Sequence, residues 1–294
     1  MTIARAQPSP IHAWLLLAPF VAVFLTFTAY PLARAVFLAM QQTFGPGTAR
    51  FVGAENFAYL LSDPLFWIAA RNTTIFALGS VFVQLPLALG LALLLNRPGL
   101  RGRAIYRTIF FAPSLVGVVF VAMVFSMLLE KRTGLVNRLL HDAIAFDLDF
   151  PWLQIYIMPA LILASLWQYV GFNMVYFLAA LQNVPRELVE AATIDGAGAA
   201  GRFWHVTAPC IRPVAAFVVL LSIIGSFQLF ELPFILMQGT GGPENRALTI
   251  VMYIYQTGFQ AGDLGYASAI AWVLALILAG CAILMRFLAR AEDA

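Results

Sequence analysis

Residues 183–213 have the sequence NVPRELVEAATIDGAGAAGRFWHVTAPCIRP and lie between two long apolar segments. This stretch predicts two short helices separated by a glycine-containing turn. Asn183 is a suitable N-cap for the first helix, Pro185 suits its first turn, and Glu187 complements its positive end. Gly196 is expected to end this helix, because glycine accepts the left-handed backbone conformation common at helix C-termini.

The two short helices carry apolar side chains that need a surface to pack against. The second helix is expected to end at Pro209, and the next apolar segment to begin at Pro213. Helices of this length are not stable alone in water. The apolar side chains are Leu188, Ile194, Phe203 and Trp204. They can fold onto the rest of the chain or insert into a groove of a partner, as amphipathic helices do, and the pattern alone favours neither.

The composition of the whole chain indicates a membrane protein. Of its 294 residues, 62% are hydrophobic and 11% are charged, whereas about a quarter of residues are charged in soluble domains. Six apolar stretches reach the roughly 20 residues that cross a bilayer. They are residues 12–39, 72–95, 108–129, 154–182, 213–237 and 266–288. We therefore predict an all-α integral membrane protein with six transmembrane helices, in which residues 1–294 form a single transmembrane domain.

The arginines predict the orientation of the spans. The connection between the second and third spans contains no acidic residue and four arginines, namely Arg97, Arg101, Arg103 and Arg107. Such a loop is typical of the cytoplasmic side. Alternation of the spans then places residues 183–213 and both termini in the cytoplasm. The apolar stretch after Arg5 is too long for a signal peptide, so it is predicted to be a retained first span.

The chain lacks the motifs of common ATP-binding and hydrolytic sites. Its one lysine, Lys131, follows no glycine-rich loop, which excludes the phosphate-binding pattern G-x-x-x-x-G-K-[ST]. Neither H-E-x-x-H nor G-x-S-x-G occurs, and His12, His141 and His205 lie far apart in sequence. We predict neither an enzyme nor a metal site, and the net charge of +3 does not indicate nucleic acid binding.

Two kinds of transporter remain as hypotheses. An ion-coupled secondary transporter of a small polar solute needs intramembrane acids for its coupling ion. Glu231 is the one carboxylate well inside a span, so this alternative has thin support. A passive or externally driven pathway needs no such site. If it is driven, a partner must act on a cytoplasmic surface, and residues 183–213 are the candidate.

Two spans carry polar and aromatic residues at helical spacing. The fourth span has residues at i, i+3, i+4 and i+7, followed directly by an asparagine: Ser165, Gln168, Tyr169, Phe172 and Asn173. The fifth span repeats the spacing with Ile224, Phe227, Gln228 and Glu231.

These two faces could line a cavity or hold helices together. Polar side chains in a membrane are costly unless they are hydrogen-bonded or face water. In the first alternative, aromatic rings stack on sugar rings while the amides and the carboxylate bind hydroxyl groups. In the second, Gln168 and Gln228 bond to each other or to backbone. Neither face contains an arginine, so the pattern favours a neutral sugar or polyol over a phosphorylated or carboxylated ligand.

The segment 183–213 also carries a long, specific motif. Three residues separate Glu190-Ala191-Ala192 from Gly196. Nine residues then separate Gly196 from the apolar Val206, and one residue separates Val206 from Ala208-Pro209. This resembles the EAA loop of the membrane subunits of binding-protein-dependent ABC importers. The family pattern has isoleucine at position 206 and leucine at 208, so the two departures are mild apolar changes.

Further motifs extend the resemblance over nearly the whole chain. They are similar to those of sugar-importer permeases of the MalF/UgpA-like half, in a compact six-span form. The motifs are Phe51-Val52-Gly53, Glu55-Asn56-Phe57, Asp63-Pro64, Arg71-Asn72-Thr73, Tyr106-Arg107-Thr108, Phe110-Phe111-Ala112-Pro113, Thr240-Gly241-Gly242-Pro243 and Gly265-Tyr266-Ala267-Ser268-Ala269.

The resemblance implies a function and a set of partners. The fold would be that of a type I ABC importer permease in the inner membrane of a bacterium or archaeon. Glu190 would face a cleft of a cytoplasmic ATPase subunit, with Ala191, Ala192, Asp195, Gly196 and Pro209 completing the coupling loop. ATP and Mg would bind only to two partner ATP-binding subunits. A second, MalG/UgpE-like permease and an extracytoplasmic solute-binding protein would complete the importer.

The substrate contacts implied by the resemblance coincide with the two polar faces. In the maltose permease of this family, the equivalent positions of spans four and five contact the sugar. Family asparagines are replaced here by Ser165 in span four and by Gln228 and Glu231 in span five. The resemblance therefore implies a sugar pathway without specifying the sugar.

Overall fold

The computed structural model describes residues 10–43, 49–97 and 99–290. Arg5 and both chain ends lie outside the described residues, so the predicted cytoplasmic position of the termini stays a prediction. Within the described part the chain is mostly helical. A short antiparallel hairpin, β1 (Gln41–Thr43) and β2 (Ala49–Phe51), is added to the predicted all-α architecture.

The described residues form helices that we number α1 to α15. The first eight are α1 (Pro10–Phe24), α2 (Tyr30–Ala39), α3 (Glu55–Ser62), α4 (Pro64–Gly79), α5 (Leu85–Leu95), α6 (Arg103–Phe111), α7 (Val118–Leu128) and α8 (Leu135–Ile144). The others are α9 (Ile157–Gln182), α10 (Arg186–Ile194), α11 (Ala199–Arg202), α12 (Ala208–Phe227), α13 (Glu231–Leu236), α14 (Ile250–Tyr255) and α15 (Leu264–Arg290).

Five helical runs are long and apolar enough to cross a bilayer. They are Trp14–Ala39, Pro64–Leu95, Ile157–Gln182, Ala199–Leu236 and Leu264–Phe287. A sixth candidate is a broken pair, Arg103–Leu115 and Val118–Leu128, bent by 95°. The predicted span 108–129 therefore contains a break, since Val116 and Gly117 leave the helix with extended backbone.

The second span begins eight residues earlier than predicted. Its start is set by Asp63, whose side chain accepts a hydrogen bond from the Leu65 N–H at 2.9 Å, and by Pro64 in the first turn. These are the residue types that favour a helix start. A break separates this span from the preceding helix, because α3 ends at Ser62.

Three of the span prolines directly follow a wide π turn. The π turns Leu25–Ala29, Ser80–Gln84 and Phe203–Thr207 precede Tyr30-Pro31, Leu85-Pro86 and Ala208-Pro209. In each case the residue before the proline donates its N–H five residues back. Proline lacks a donor and clashes with the preceding turn of an α-helix. The widened turn accommodates both effects without ending the helix.

One compact unit contains the described residues up to Ser62 together with Ile254–Val273. Within it, Asn56 donates from its amide to two backbone oxygens, one of which is that of Gln41 at 2.8 Å. A Cβ on Gly265 would lie 1.8 Å from the same Gln41 oxygen, so only glycine fits there. Asn56 and Gly265, both parts of the sequence motifs, thus have structural roles at the end of the hairpin.

The other compact unit contains Asp63–Tyr253 and the described residues from Leu274 onward, and α9 is its central helix. One apolar cluster packs around Leu161, where α9 meets α7 and α13, and another packs around Met174, where it meets α5 and α12. Asn72 joins distant parts of the unit, because its amide donates to the backbone oxygens of Asn245 at 2.9 Å and Leu248 at 3.0 Å.

The helices α9 and α6 approach each other at Gly171. A Cβ at this position would lie 1.8 Å from the backbone oxygen of Phe110. Small residues permit such close contacts between membrane helices. This contact fixes the α6 arm of the broken span against α9, and it brings the break at Val116 close to the polar residues of α9.

Candidate functional site

A cavity of about 420 Å³ opens within the second unit. Its volume lies in the range that holds small-molecule ligands. Of the nine residues on the two predicted faces, seven line it, namely Ser165, Gln168, Tyr169, Phe172, Asn173, Gln228 and Glu231. The other two, Ile224 and Phe227, are not lining residues. The structure thus brings the polar residues of spans four and five to one space, as the helical spacing in span four predicted.

Gln168 has an amide oxygen that is buried without a partner. Its side chain is 2% exposed and lines the cavity. Its Nε2 donates to the backbone oxygen of Val116 at 3.1 Å, which fixes the orientation of the amide. The Oε1 atom has no hydrogen-bond partner in the described structure. A buried acceptor without a donor is costly, so this oxygen is an unsatisfied position in the wall of the cavity.

The alternative in which the polar residues only hold helices together applies to some of them. Ser165 donates to Gln84 Oε1 at 3.2 Å, and the hydroxyls of Ser80 and Ser222 lie 2.8 Å apart. Gln168 and Gln228 do not bond to each other: Gln168 bonds to backbone, and Gln228 is exposed at the cavity.

The sequence analysis missed the contribution of the second span to this cavity. Ser80 and Gln84 line it and are buried. They stand four residues apart in an otherwise apolar run, which places them on one helix face. That spacing could have identified them. The residues from Gly225 to Leu232 contribute further lining groups.

The predicted regular face of the fifth span is wrong beyond Phe227. The helix α12 ends there, residues 228–230 are not helical, and α13 begins at Glu231. Phe230 has φ −138° and ψ −59°, outside the helical region. The carbonyl of Leu229, freed by this break, accepts a hydrogen bond from the Thr249 hydroxyl at 2.6 Å. Because of this break, Gln228 and Glu231 line the cavity although they do not lie on one continuous helix face.

The first half of the EAA segment is the helix α10, and it ends as predicted. Glu190, Ala191 and Ala192 lie on it, Asp195 is its C-cap, and Gly196 follows with φ +81°. The Gly196 N–H donates to the Thr193 oxygen at 3.1 Å, and the Ala197 N–H donates to the Ala192 oxygen at 2.9 Å. This pair of bonds is a Schellman motif, in which glycine takes the left-handed position.

Two details of the segment differ from the prediction. Asn183 does not cap α10, because it ends α9 and donates its side-chain amide to the Ala179 oxygen at 3.1 Å. Pro209 does not end a second short helix, because the π turn Phe203–Thr207 leads directly into α12, and Pro213 lies inside α12. The second short helix is therefore the start of the fifth span.

The apolar side chains of the EAA segment are largely exposed. The exposed fractions are 48% for Leu188, 87% for Ile194 and 68% for Trp204. Among the described residues of α10, none is buried. Arg202 ties the two halves together by donating to the Thr193 hydroxyl at 2.9 Å. Of the two alternatives for this segment, the exposure favours docking on a partner over packing on the chain itself.

Membrane-spanning helices, a cavity lined by aromatic and polar residues, and an exposed EAA segment define the class of this protein. Residues 84–293 match the family described as the inner membrane component of binding-protein-dependent transport systems, and the chain belongs to that family. It is a multi-pass membrane permease of the ABC importer type, as its sequence motifs implied.

Among named relatives, the arabinooligosaccharides transport system permease protein AraP of Halalkalibacterium halodurans is 37% identical, over 90% of this chain and 83% of its own length. The lactose transport system permease protein LacF of Rhizobium radiobacter is 35% identical, over 95% of this chain and 94% of its own. These relatives are transport permeases and not enzymes.

A solved structure has the same fold. It is a bacterial alginate ABC transporter in complex with an alginate pentasaccharide-bound periplasmic protein. One of its chains is 25% identical and superposes with a TM-score of 0.83, over 96% of this chain and 95% of that chain.

Proposed function

We propose that this chain is a permease subunit of an ATP-driven importer that takes up a sugar or related polyol from an extracytoplasmic solute-binding protein. It forms half of the translocation pathway, and a second homologous permease forms the other half. Two cytoplasmic ATP-binding subunits hold ATP and Mg and act on Glu190 and its neighbours. Six spans cross the inner membrane of a bacterium or archaeon, and both termini are cytoplasmic.

The exposed EAA segment is the observation that carries this proposal. Ile194 and Trp204 present apolar surface that nothing in the described chain covers, and exposed apolar patches of this kind mark interaction sites. Docking on an ATP-binding subunit would bury these two side chains. When the ATP-binding subunits close on each other, the movement would pass through Arg202 and the π turn Phe203–Thr207 into α12. This helix leads to Gln228 and Glu231 at the cavity.

The names of the relatives support a sugar as the solute. AraP and LacF are named for arabinooligosaccharides and lactose. The alginate transporter carries its saccharide on a periplasmic protein, which supports a solute-binding partner here. The cavity itself combines aromatic walls at Tyr169 and Phe172 with amides, a combination that suits rings bearing hydroxyl groups.

Transport in proteoliposomes distinguishes this proposal from an ion-coupled secondary transporter. The chain would be reconstituted with its second permease, with or without the ATP-binding subunits and binding protein, and uptake of radiolabelled neutral di- and trisaccharides measured. We expect uptake only when ATP and all partners are present. Uptake driven by a proton or sodium gradient with the two permeases alone would contradict the proposal and favour the secondary transporter.

A further inference from the structure

We propose that the turn between α5 and α6 binds the phosphate headgroup of an anionic phospholipid. We call this site the basic turn, and its four arginines are Arg97, Arg101, Arg103 and Arg107. Their guanidinium groups hold the phosphate, and the exposed apolar side of α6 contacts the acyl chains of the same lipid. The proposal goes beyond the proposed function, because it concerns a membrane lipid and not the transported solute.

The arginines of the basic turn are gathered at the start of α6. Arg103 donates from its Nη2 to the Arg97 backbone oxygen at 2.9 Å, and this bond joins the two sides of the turn. Gly102 directly precedes α6 with φ +78°, a conformation that glycine accepts without strain. Arg107 lies one helical turn beyond Arg103 on the same face of α6. The positive charge is therefore concentrated and not spread along an extended loop.

The surroundings of the basic turn supply no counter-charge. The sequence contains no acidic residue between Asp63 and Glu130. The main packing partners of α6 are α5, α9 and the 3-10 turn Ala112–Leu115, and α9 contains no acidic residue either. Arg101 and Arg107 are exposed and form no ion pair with any described residue. Because like charges at this spacing repel one another, the turn favours an anion from outside the chain.

The apolar side of α6 indicates that this anion belongs to a lipid. Ile105 and Ile109 are 65% and 59% exposed, and they lie on the side of the helix opposite Arg103 and Arg107. A helix with arginines on one side and exposed aliphatic side chains on the other is typical of the membrane interface. A free phosphate ion would satisfy the guanidinium groups alone. A phospholipid supplies a phosphate for the arginines and acyl chains for the isoleucines.

Guanidinium geometry distinguishes a bound phosphate from diffuse attraction to a charged membrane. An arginine can donate two parallel N–H bonds to phosphate oxygens, whereas a lysine ammonium acts as a point charge. Diffuse attraction depends on the charge and not on this fork. A phosphate held at the basic turn therefore requires arginine, and replacement by lysine weakens it although the charge is kept.

Photolabelling of the assembled transporter tests the proposal. The two permeases and two ATP-binding subunits would be placed in nanodiscs of equimolar phosphatidylglycerol and phosphatidylcholine with identical acyl chains. In parallel samples one lipid or the other carries a diazirine beside its headgroup, and labelled chymotryptic fragments are quantified by mass spectrometry. We expect phosphatidylglycerol to label the fragments of the basic turn and α6 at least about tenfold more than phosphatidylcholine, because several arginines each favour the anionic lipid.

Paired substitutions separate a phosphate site from general charge. Arg101→Gln combined with Arg107→Gln should reduce the preference to about twofold or less. Arg132→Gln combined with Arg138→Gln is the matched control, because both arginines are exposed, lie outside the basic turn and remove the same charge. Arg101→Lys combined with Arg107→Lys should leave a preference of about three- to fivefold, because the charge remains without the guanidinium fork. The melting temperature and subunit recovery of each variant check its assembly.

Four outcomes would overturn the lipid site. The first is equal labelling by the two lipids in the wild type, and the second is an unchanged preference in the glutamine pair. The third is full preference in the lysine pair, which shows diffuse attraction without a phosphate site. The fourth is loss of labelling when inorganic phosphate, but not sodium chloride of equal ionic strength, is added, which assigns the turn to a free anion.

The wild-type arm keeps the proposal testable even where a variant fails to assemble. If the glutamine pair loses the ATP-binding subunits and the wild type shows no lipid preference, the arginines contact a protein partner and the lipid site is wrong. If the glutamine pair loses them but the wild type prefers phosphatidylglycerol and the lysine pair shows the intermediate preference, the lipid site stands. None of these outcomes bears on the solute, so the proposed function is tested separately by uptake.

Discussion

At the residue scale, the buried amides of the described residues differ in whether all of their polar atoms are hydrogen-bonded. The Asn137 amide is satisfied, since its Nδ2 donates to the Lys131, Leu148 and Phe150 oxygens and its Oδ1 accepts from Trp152. Asn72 likewise donates to two backbone oxygens. Gln168 has the same burial but one oxygen without a donor. Sequence alone predicted that Gln168 was polar inside a span, but only the structure shows which of its atoms is unpaired.

Gly171 gives a prediction at this scale. Gly171→Ala should destabilise the transporter by about 1–3 kcal/mol, the usual cost of overpacking, because the new Cβ would meet the backbone oxygen of Phe110, which cannot move away as a side chain does. Thermal unfolding of the purified complex measures this. Gly90→Ala is the control, since a Cβ there meets nothing within 4 Å in α5. Equal melting temperatures for the two variants would show that the close contact of α9 and α6 is absent.

At the element scale, the presence of the apolar spans follows from the sequence, whereas the starts of the second and fifth spans and the breaks within spans do not. Hydropathy reports length and polarity, so the spans around α9 and α15 were found within a few residues. Hydropathy does not report the direction of a helix axis, so the sequence did not predict the 95° bend at Val116 and Gly117. In the fourth span the helix is continuous and its polar face survives. In the fifth span, Pro233 lies in the first turn of α13, where proline is well tolerated. This proline indicates the start of a new helix, which the periodic spacing of the polar residues does not.

The EAA segment gives a prediction at the element scale. Gly196→Val should lower ATP-dependent uptake and recovery of the ATP-binding subunits, because a β-branched residue at φ +81° distorts the Schellman motif that sets the angle after α10. The cost of the left-handed conformation is about 1–2 kcal/mol for an ordinary residue. Gly198→Ala is the control, because its φ is −66° and its Cβ would meet nothing within 4 Å. Normal uptake by Gly196→Val would contradict a role for this turn.

At the scale of the whole molecule, the described surface is too apolar for water. The most apolar 18-residue window of the span Trp14–Ala39 contains no buried residue, and the window in Ala199–Leu236 is 11% buried. Lipid and a second permease would cover such surfaces. The sequence predicted this membrane class from composition, and the arginine count predicted an orientation that the fold alone does not reveal.

The orientation gives a prediction for the whole molecule. In a background without Cys210 and Cys281, Arg101→Cys should react with an impermeant thiol reagent only in inside-out vesicles, because its four arginines predict that this loop is cytoplasmic. Leu139→Cys on α8, which is 66% exposed, should react in intact cells with a permeabilised outer layer. Labelling of position 101 from the outside would overturn the six-span arrangement with cytoplasmic termini.

The docking of the EAA segment on an ATP-binding subunit is the central claim, and crosslinking from position 194 tests it most directly. A photoreactive amino acid would replace Ile194, which is 87% exposed, in the complete transporter, and Leu139 on α8 would be replaced in a matched sample. The account predicts a crosslink from position 194 to the ATP-binding subunit, identified by peptide mass spectrometry, and none from position 139. Crosslinks from position 194 only to this chain's own helices or to lipid would contradict it.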